Sequence, residues 1–166
     1  MNFRYIPMDS ATADRFRRTG VDDGGNPFRR VTAEQPKYPC RHCLRKAKPG
    51  EQLLLGSYHL ELPRGAYWTP SPVFVHADQC EQFHTKHEPP EILFGPLLSV
   101  RAYDADHQMI YPLSDVAHGQ EAHGLLERAF TDTKTSYVNI HTAQFGCFLC
   151  RVERGEDSLE PQRAYL

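Results

Sequence analysis

The chain has 166 residues, 40% of them hydrophobic and 24% charged, with a formal net charge of -2. Those values fit an ordinary soluble globular protein, and they leave no electrostatic footprint for nucleic acid or an anionic membrane. No stretch approaches the roughly 20 apolar residues that a bilayer-spanning helix needs. One domain over 1–166 is expected, with 1–35 as a less defined N-terminal segment and 36–154 as the better patterned part. A homo-oligomer stays open. The opening MNFRYIPMDS has neither the apolar run nor the cleavage pattern of a signal peptide, so the expected location is the cytoplasm. There the odd set Cys40, Cys43, Cys80, Cys147 and Cys150 is expected as thiols rather than as a disulfide framework.

Along the chain, Ser10 to Arg18 is predicted as a first helix with Ser10 as its cap. The basic residues Arg15, Arg17, Arg18, Arg29 and Arg30 are expected on a solvated face. VDDGGNP at 21–27 is a loop by composition, and FRRVTAE after it is a weak strand. CRHCLRKAKPGEQLLLGSYHL reads as strand, turn at KPGE, strand. LPRGAYWTPSP is a loop carrying the single tryptophan, Trp68. PVFVHA at 72–77 is a strand by its alternating β-branched and aromatic residues. Asp78 and Glu81 have the spacing of a capping box, which predicts a short helix from Asp78 that ends before Pro89 and Pro90.

LLSVRAY and QMIYPL flank DADH as a predicted hairpin. Residues 119–132 hold the best helix, with Ala122, Leu125, Leu126, Ala129 and Phe130 on its apolar face. SYVNIHT and FGCFLCRVER are the last two strands. The predicted fold class is therefore α+β: a mainly antiparallel β-sheet with two or three short helices packed on it.

The chemistry sits in cysteine and histidine. Zinc takes four ligands in a tetrahedron, commonly Cys and His, with close pairs separated by two to four residues. Cys40 and Cys43 form one such pair, and His76 and Cys80 form another. If 40–45 is a regular strand, Cys40 and Cys43 face opposite sides and cannot share an ion. The glycine that usually follows a zinc knuckle's second cysteine is replaced by Leu44. In GCFLCRV, read as a strand, Cys147 and Cys150 also face opposite sides, leaving one free to replace Cys40. The order of preference is His76, Cys80 and Cys43, then Cys40, then Cys150. Cys80, in the first turn of the predicted helix, would gain thiolate character from the helix dipole.

A second constellation is His141 with Cys147 across the last hairpin, as a thiolate–imidazolium pair oriented by Asp104 or Asp106. The blander expectation there is a core cysteine and a rim histidine. His42 and His59 are expected as ordinary, partly exposed histidines, and His84 and His87 as surface residues. Tyr67 and Trp68 offer a partner surface or simply anchor their loop. Phosphate loops, GxSxG and HExxH are absent.

PCRHCLRKAKPGEQLLLGSY, SPVFVHADQC, LLSVRAYDADHQMIY and SYVNIHTAQFGCFLCRVER, in this order and spacing, resemble a bacterial family of small uncharacterised proteins, domain-of-unknown-function family twelve-oh-three. The resemblance runs from about Pro36 to Arg154. It implies no activity and no catalytic residues. It also implies a fold that does not need a metal, and core positions for Cys40 and Cys147, which leaves Cys43, His76, Cys80 and Cys150 as the ligand group. The functional expectation is a small protein with a structural zinc ion and an unknown role. The alternatives are a thiol-dependent enzyme using Cys147 and His141, and a metal-free interaction module.

Overall fold

The computed structural model describes residues 1–84 and 88–155. In chain order its elements are β1 (Phe3–Ile6), α1 (Ser10–Thr19), β2 (Arg29–Thr32), β3 (Gln52–Tyr58), β4 (Ser71–His76), β5 (Leu97–Tyr103), β6 (Asp115–His118), α2 (Ala122–Thr131), β7 (Tyr137–Thr142) and β8 (Phe148–Arg154). One sheet has the order β1-β8-β7-β5-β6 and the other β2-β3-β4, with every pairing antiparallel. The fold is thus α+β and mainly antiparallel. Among the described residues no helix is long and apolar enough to cross a membrane.

The five-stranded sheet buries one face under α2. Val100 on β5 stands opposite Ile140 on β7, and Ile140 stands opposite Cys150 on β8. This row meets Ala122, Leu126, Ala129 and Phe130 of α2 in one core. Each fully buried Leu, Ile or Phe there contributes roughly 1.5–3 kcal/mol of transfer free energy. The periodicity that predicts α2 identifies its apolar face correctly. The helix starts three residues later than expected because Gly119 and Glu121 form a turn, with Glu121 N–H donating to the His118 carbonyl.

The smaller sheet is covered by α1, whose Ala13 and Phe16 pack on Val73 and Val75 of β4 together with Met8 and Cys40. The N-cap is Asp9, one residue before the expected Ser10; its carboxylate accepts from Thr12 N–H at 2.8 Å. Gly20 ends the helix in the left-handed region at φ +66°, its N–H returning to the Phe16 carbonyl. That closure follows the usual glycine C-cap. The two sheets are tied where Phe148 N–H donates to Ser71 Oγ at 2.9 Å, and where Arg41 Nε donates to the Phe148 carbonyl at 2.6 Å.

Three local expectations are corrected. QMIYPL is not a strand: Met109 makes one bridge to Tyr103, and Tyr111–Leu113 is a 3-10 turn. The partner of β5 is β6, beyond that turn. The DADH turn does form, with the Asp104 carboxylate accepting from Asp106 and Gln108 N–H. β1 also forms outside the expected strands, as an edge strand burying Phe3 and Tyr5.

The largest correction concerns the helix expected from Asp78. Residues 78–84 are irregular, and 85–87 lie outside the described residues. The stretch DQCEQFHT has almost no apolar face, and an isolated helix this short is marginal whatever its cap. Tertiary bonds take its polar groups instead: Phe83 N–H donates to the His42 carbonyl, and Gln82 Nε2 donates to the Met8 carbonyl.

Candidate metal centre

Cys40 and Cys43 lie in a turn rather than a strand. Pro39 bridges Lys46, Cys40 bridges Phe74 of β4 in parallel, and the chain between them folds back on itself. Leu44 N–H donates to the Cys40 carbonyl at 3.0 Å, and Cys40 N–H donates to the Arg45 carbonyl at 3.0 Å. This places both sulfurs on one side. The turn requires a left-handed residue after the second cysteine, and Leu44 supplies it at φ +50°. Leucine pays a steric cost there that glycine avoids. Its side chain is held at 1% exposure in the main core, which offsets that cost.

His76 is the last residue of β4, and Cys80 follows it in the irregular segment. The ligand atoms of Cys40, Cys43, His76 and Cys80 all lie within 4.8 Å of one another. Cys43 Sγ is 3.5 Å from His76 Nδ1, and the Cys40 and Cys80 sulfurs are 4.0 Å apart. Tetrahedral bonds of ~2.3 Å to sulfur and ~2.05 Å to nitrogen set edges of about 3.5 Å between sulfur and nitrogen and about 3.8 Å between sulfurs. The cluster therefore has the dimensions to hold a metal ion. His76 and Cys40 are buried, and Cys43 and Cys80 are half-buried.

The groups around the cluster orient it. His76 Nε2 lies 3.1 Å from Glu51 Oε2, so the carboxylate fixes the ring with Nδ1 toward the sulfurs. Carboxylate-backed histidines are the usual outer shell of metal sites. Glu51 is itself held by both terminal nitrogens of Arg45 at 2.8 Å and by Lys48 N–H at 2.7 Å. The Arg45 hydrogen bonds bring its carboxyl down to about 2. His76 N–H donates to Cys40 Sγ at 3.4 Å. Cys80 Sγ meets His42 Nδ1 at 3.2 Å and Arg17 Nη2 at 3.3 Å, and Ser10 Oγ holds the far side of the His42 ring at 3.0 Å.

Three thiols this close cannot all ionise on their own. Hydrogen bonds from Cys40, then Cys43, drive the Cys80 thiol far down. The hydrogen bond with Cys40 pushes Cys43 far up. Burial disfavours protonation of His76, but hydrogen bonding to the Cys40 and Cys80 sulfurs outweighs it and raises the imidazole to about 10. Without a cation the cluster therefore confines negative charge to part of its sulfur set. A divalent cation would relieve that repulsion and displace the remaining thiol protons to solvent.

The remaining predicted residues fall elsewhere. Cys150 is fully buried in the core of the five-stranded sheet, where burial pushes its thiol up to about 12. The structure brings Cys40, not Cys150, to the other three, against the grouping that the resemblance implies. His141 Nδ1 is bonded to the Gly146 carbonyl at 3.0 Å, while the Cys147 sulfur is 3.9 Å from the Phe145 carbonyl. No hydrogen bond joins His141 to Cys147, and they line different cavities. Asp104 is occupied by its own turn. All five cysteines are free.

His42 is 3% exposed and touches a cluster sulfur, which corrects its reading as a partly exposed residue. His84 is exposed as expected, and His87 lies outside the described residues. Trp68 anchors its loop through Nε1 to the Leu60 carbonyl at 3.0 Å. Arg17, expected on a solvated face, is corrected: its side chain is 8% exposed and held against Cys80 and the His76 carbonyl. That role and the one of Glu51 arise only from contacts made across the fold, so sequence spacing carries no signal for either.

Fold and site together define an α+β protein of two antiparallel sheets with a cluster of three cysteines and one histidine able to hold a metal. The chain belongs to a family described as a protein of unknown function (DUF1203), whose model matches residues 37–154. No curated protein and no solved structure matches the chain.

Proposed function

We propose that this protein binds one zinc ion through Cys40, Cys43, His76 and Cys80, and that the ion is structural. The carrying observation is the convergence of four ligand atoms, no two more than 4.8 Å apart, from a turn, a strand end and an irregular segment. Three thiolates and one imidazole form a borderline-soft donor set that suits zinc. Four protein ligands leave no open position for a substrate, which separates a structural site from a catalytic one. Three thiolates and a zinc ion sum to a single negative charge. Arg17 against Cys80, and the fully buried Arg41 inside the same turn, offset it. The ion's role would be to fasten the Cys40–Cys43 turn and the segment after β4 to the smaller sheet.

The test is metal analysis of protein purified under reducing conditions, with Cys80→Ser and Cys43→Ser in parallel. One zinc per chain is expected, lost in both variants. Cobalt substitution should give the intense visible bands of a tetrahedral thiolate site. Protein that carries no stoichiometric zinc, and whose melting temperature is indifferent to chelator, would refute the proposal.

A further inference from the structure

The five-stranded sheet turns its second face away from α2, and that face is polar yet covered. Arg101 on β5 stands opposite Asn139 on β7, and His141 follows two residues on along the same face. Asn139 is 4% exposed and His141 5%. The loop after β3, with Leu60 and Trp68, lies over them and encloses a cavity of about 70 Å³. That is room for about two water molecules, or for one small organic anion.

The polar groups in this cavity are incompletely used. Asn139 Oδ1 is buried with no hydrogen-bond partner. Buried acceptors are nearly always satisfied, so this one calls for a reason. The Arg101 guanidinium bonds Ser99 Oγ at 3.1 Å and the Tyr103 hydroxyl, and has no carboxylate partner among the described residues. His141 gives its Nδ1 proton to the Gly146 carbonyl, and burial brings its ring down to about 4, so at neutral pH Nε2 is a bare acceptor. Arg151, over the Tyr137 ring at 4.3 Å, adds a positive charge to the same sheet face but lines a neighbouring pocket rather than this cavity. The carboxylate at the cavity's rim, Asp106, is exposed.

We propose that this cavity binds a small hydroxycarboxylic acid, with its carboxylate on Arg101 and its hydroxyl donating to Asn139 Oδ1 or His141 Nε2. One guanidinium matches one carboxylate. Two acceptors beside it oppose the further anionic oxygens of a phosphate and match a donor hydroxyl. The site is separate from the cysteine cluster, and its test does not depend on metal content.

Glycolate is the probe. Titrated into the full chain and followed by amide chemical shifts, it should produce saturable changes at Arg101, Asn139 and His141. Acetate, which lacks the hydroxyl, should bind about fivefold more weakly or worse. Arg101→Gln should weaken glycolate binding by about tenfold or more with the fold intact. Asn139→Val should abolish the preference for glycolate over acetate without lowering the melting temperature, because an unsatisfied buried acceptor is removed; a purely structural asparagine would show the reverse. No saturable shift up to roughly 50 mM glycolate, a Kd ceiling equivalent to about −1.8 kcal/mol, would overturn the proposal. So would equal binding of acetate and glycolate, or wild-type binding by Arg101→Gln.

Discussion

At the scale of single residues, Glu51 shows how the proposed centre is tuned from outside. It touches no sulfur, yet it holds the His76 ring by Nε2 and is itself clamped by Arg45. Glu51→Gln keeps an acceptor but loses the charge that makes the imidazole a better ligand. Zinc affinity should fall by roughly 10- to 100-fold, measured by competition with a chromophoric chelator. His141 gives a pH prediction. Burial lowers its imidazole from 6.5 to about 4, so between those values the unfolded chain takes a proton that the folded one refuses. Its contribution is complete above pH 6.5 and is lost as pH falls toward 4, by about 3 kcal/mol at most. Denaturant titrations across that window should show a shallower slope in His141→Gln than in the wild type.

At the scale of elements, two close approaches fix how segments meet. Leu44 combines a left-handed backbone with a buried side chain, and the two effects oppose each other on substitution. Leu44→Gly releases about 1 kcal/mol of backbone strain but removes a buried leucine worth roughly 3 kcal/mol or more. The net expectation is a loss of about 2 kcal/mol in urea unfolding, with zinc content unchanged. Gly119, between β6 and α2, runs against Leu93: an added Cβ would sit 1.8 Å from the Leu93 carbonyl oxygen and 2.8 Å from its carbon. Backbone must then move on one side or the other. Gly119→Ala should cost about 2 to 3 kcal/mol, visible as a lowered melting temperature.

At the scale of the whole molecule, the two sheets have separate cores. α2 and the five-stranded sheet form one, and α1 with β4 and Cys40 forms another. The proposed ion sits at the second, and the turn it would hold reaches the first core only through Leu44. Chelation should therefore loosen the molecule unevenly, which hydrogen exchange can resolve. Amides of the Cys40–Leu44 turn and the end of β4 should lose protection by several orders of magnitude. Those of β5, β7 and β8 should keep most of theirs. Uniform loss across both sheets would mean that the cluster supports the entire fold as one cooperative unit.

Part of this was legible in the residues. Alternation in PVFVHA, and the apolar stripe from Ala122 to Phe130, brought out a central strand and the second helix because each pattern is local and repeats with its element's period. Spacing also brought out the pairs Cys40 with Cys43 and His76 with Cys80. Tertiary structure decided what local patterns cannot carry. Whether CRHC is a strand or a turn depends on its pairing with Phe74 and on core space for Leu44. Whether the residues after Asp78 are helical depends on the His42 and Met8 carbonyls that take their hydrogen bonds. The choice between Cys40 and Cys150 as the fourth member follows from which sheet each thiol faces. Sequence spacing names the ligand types; only the packing of distant segments brings four of them to one point.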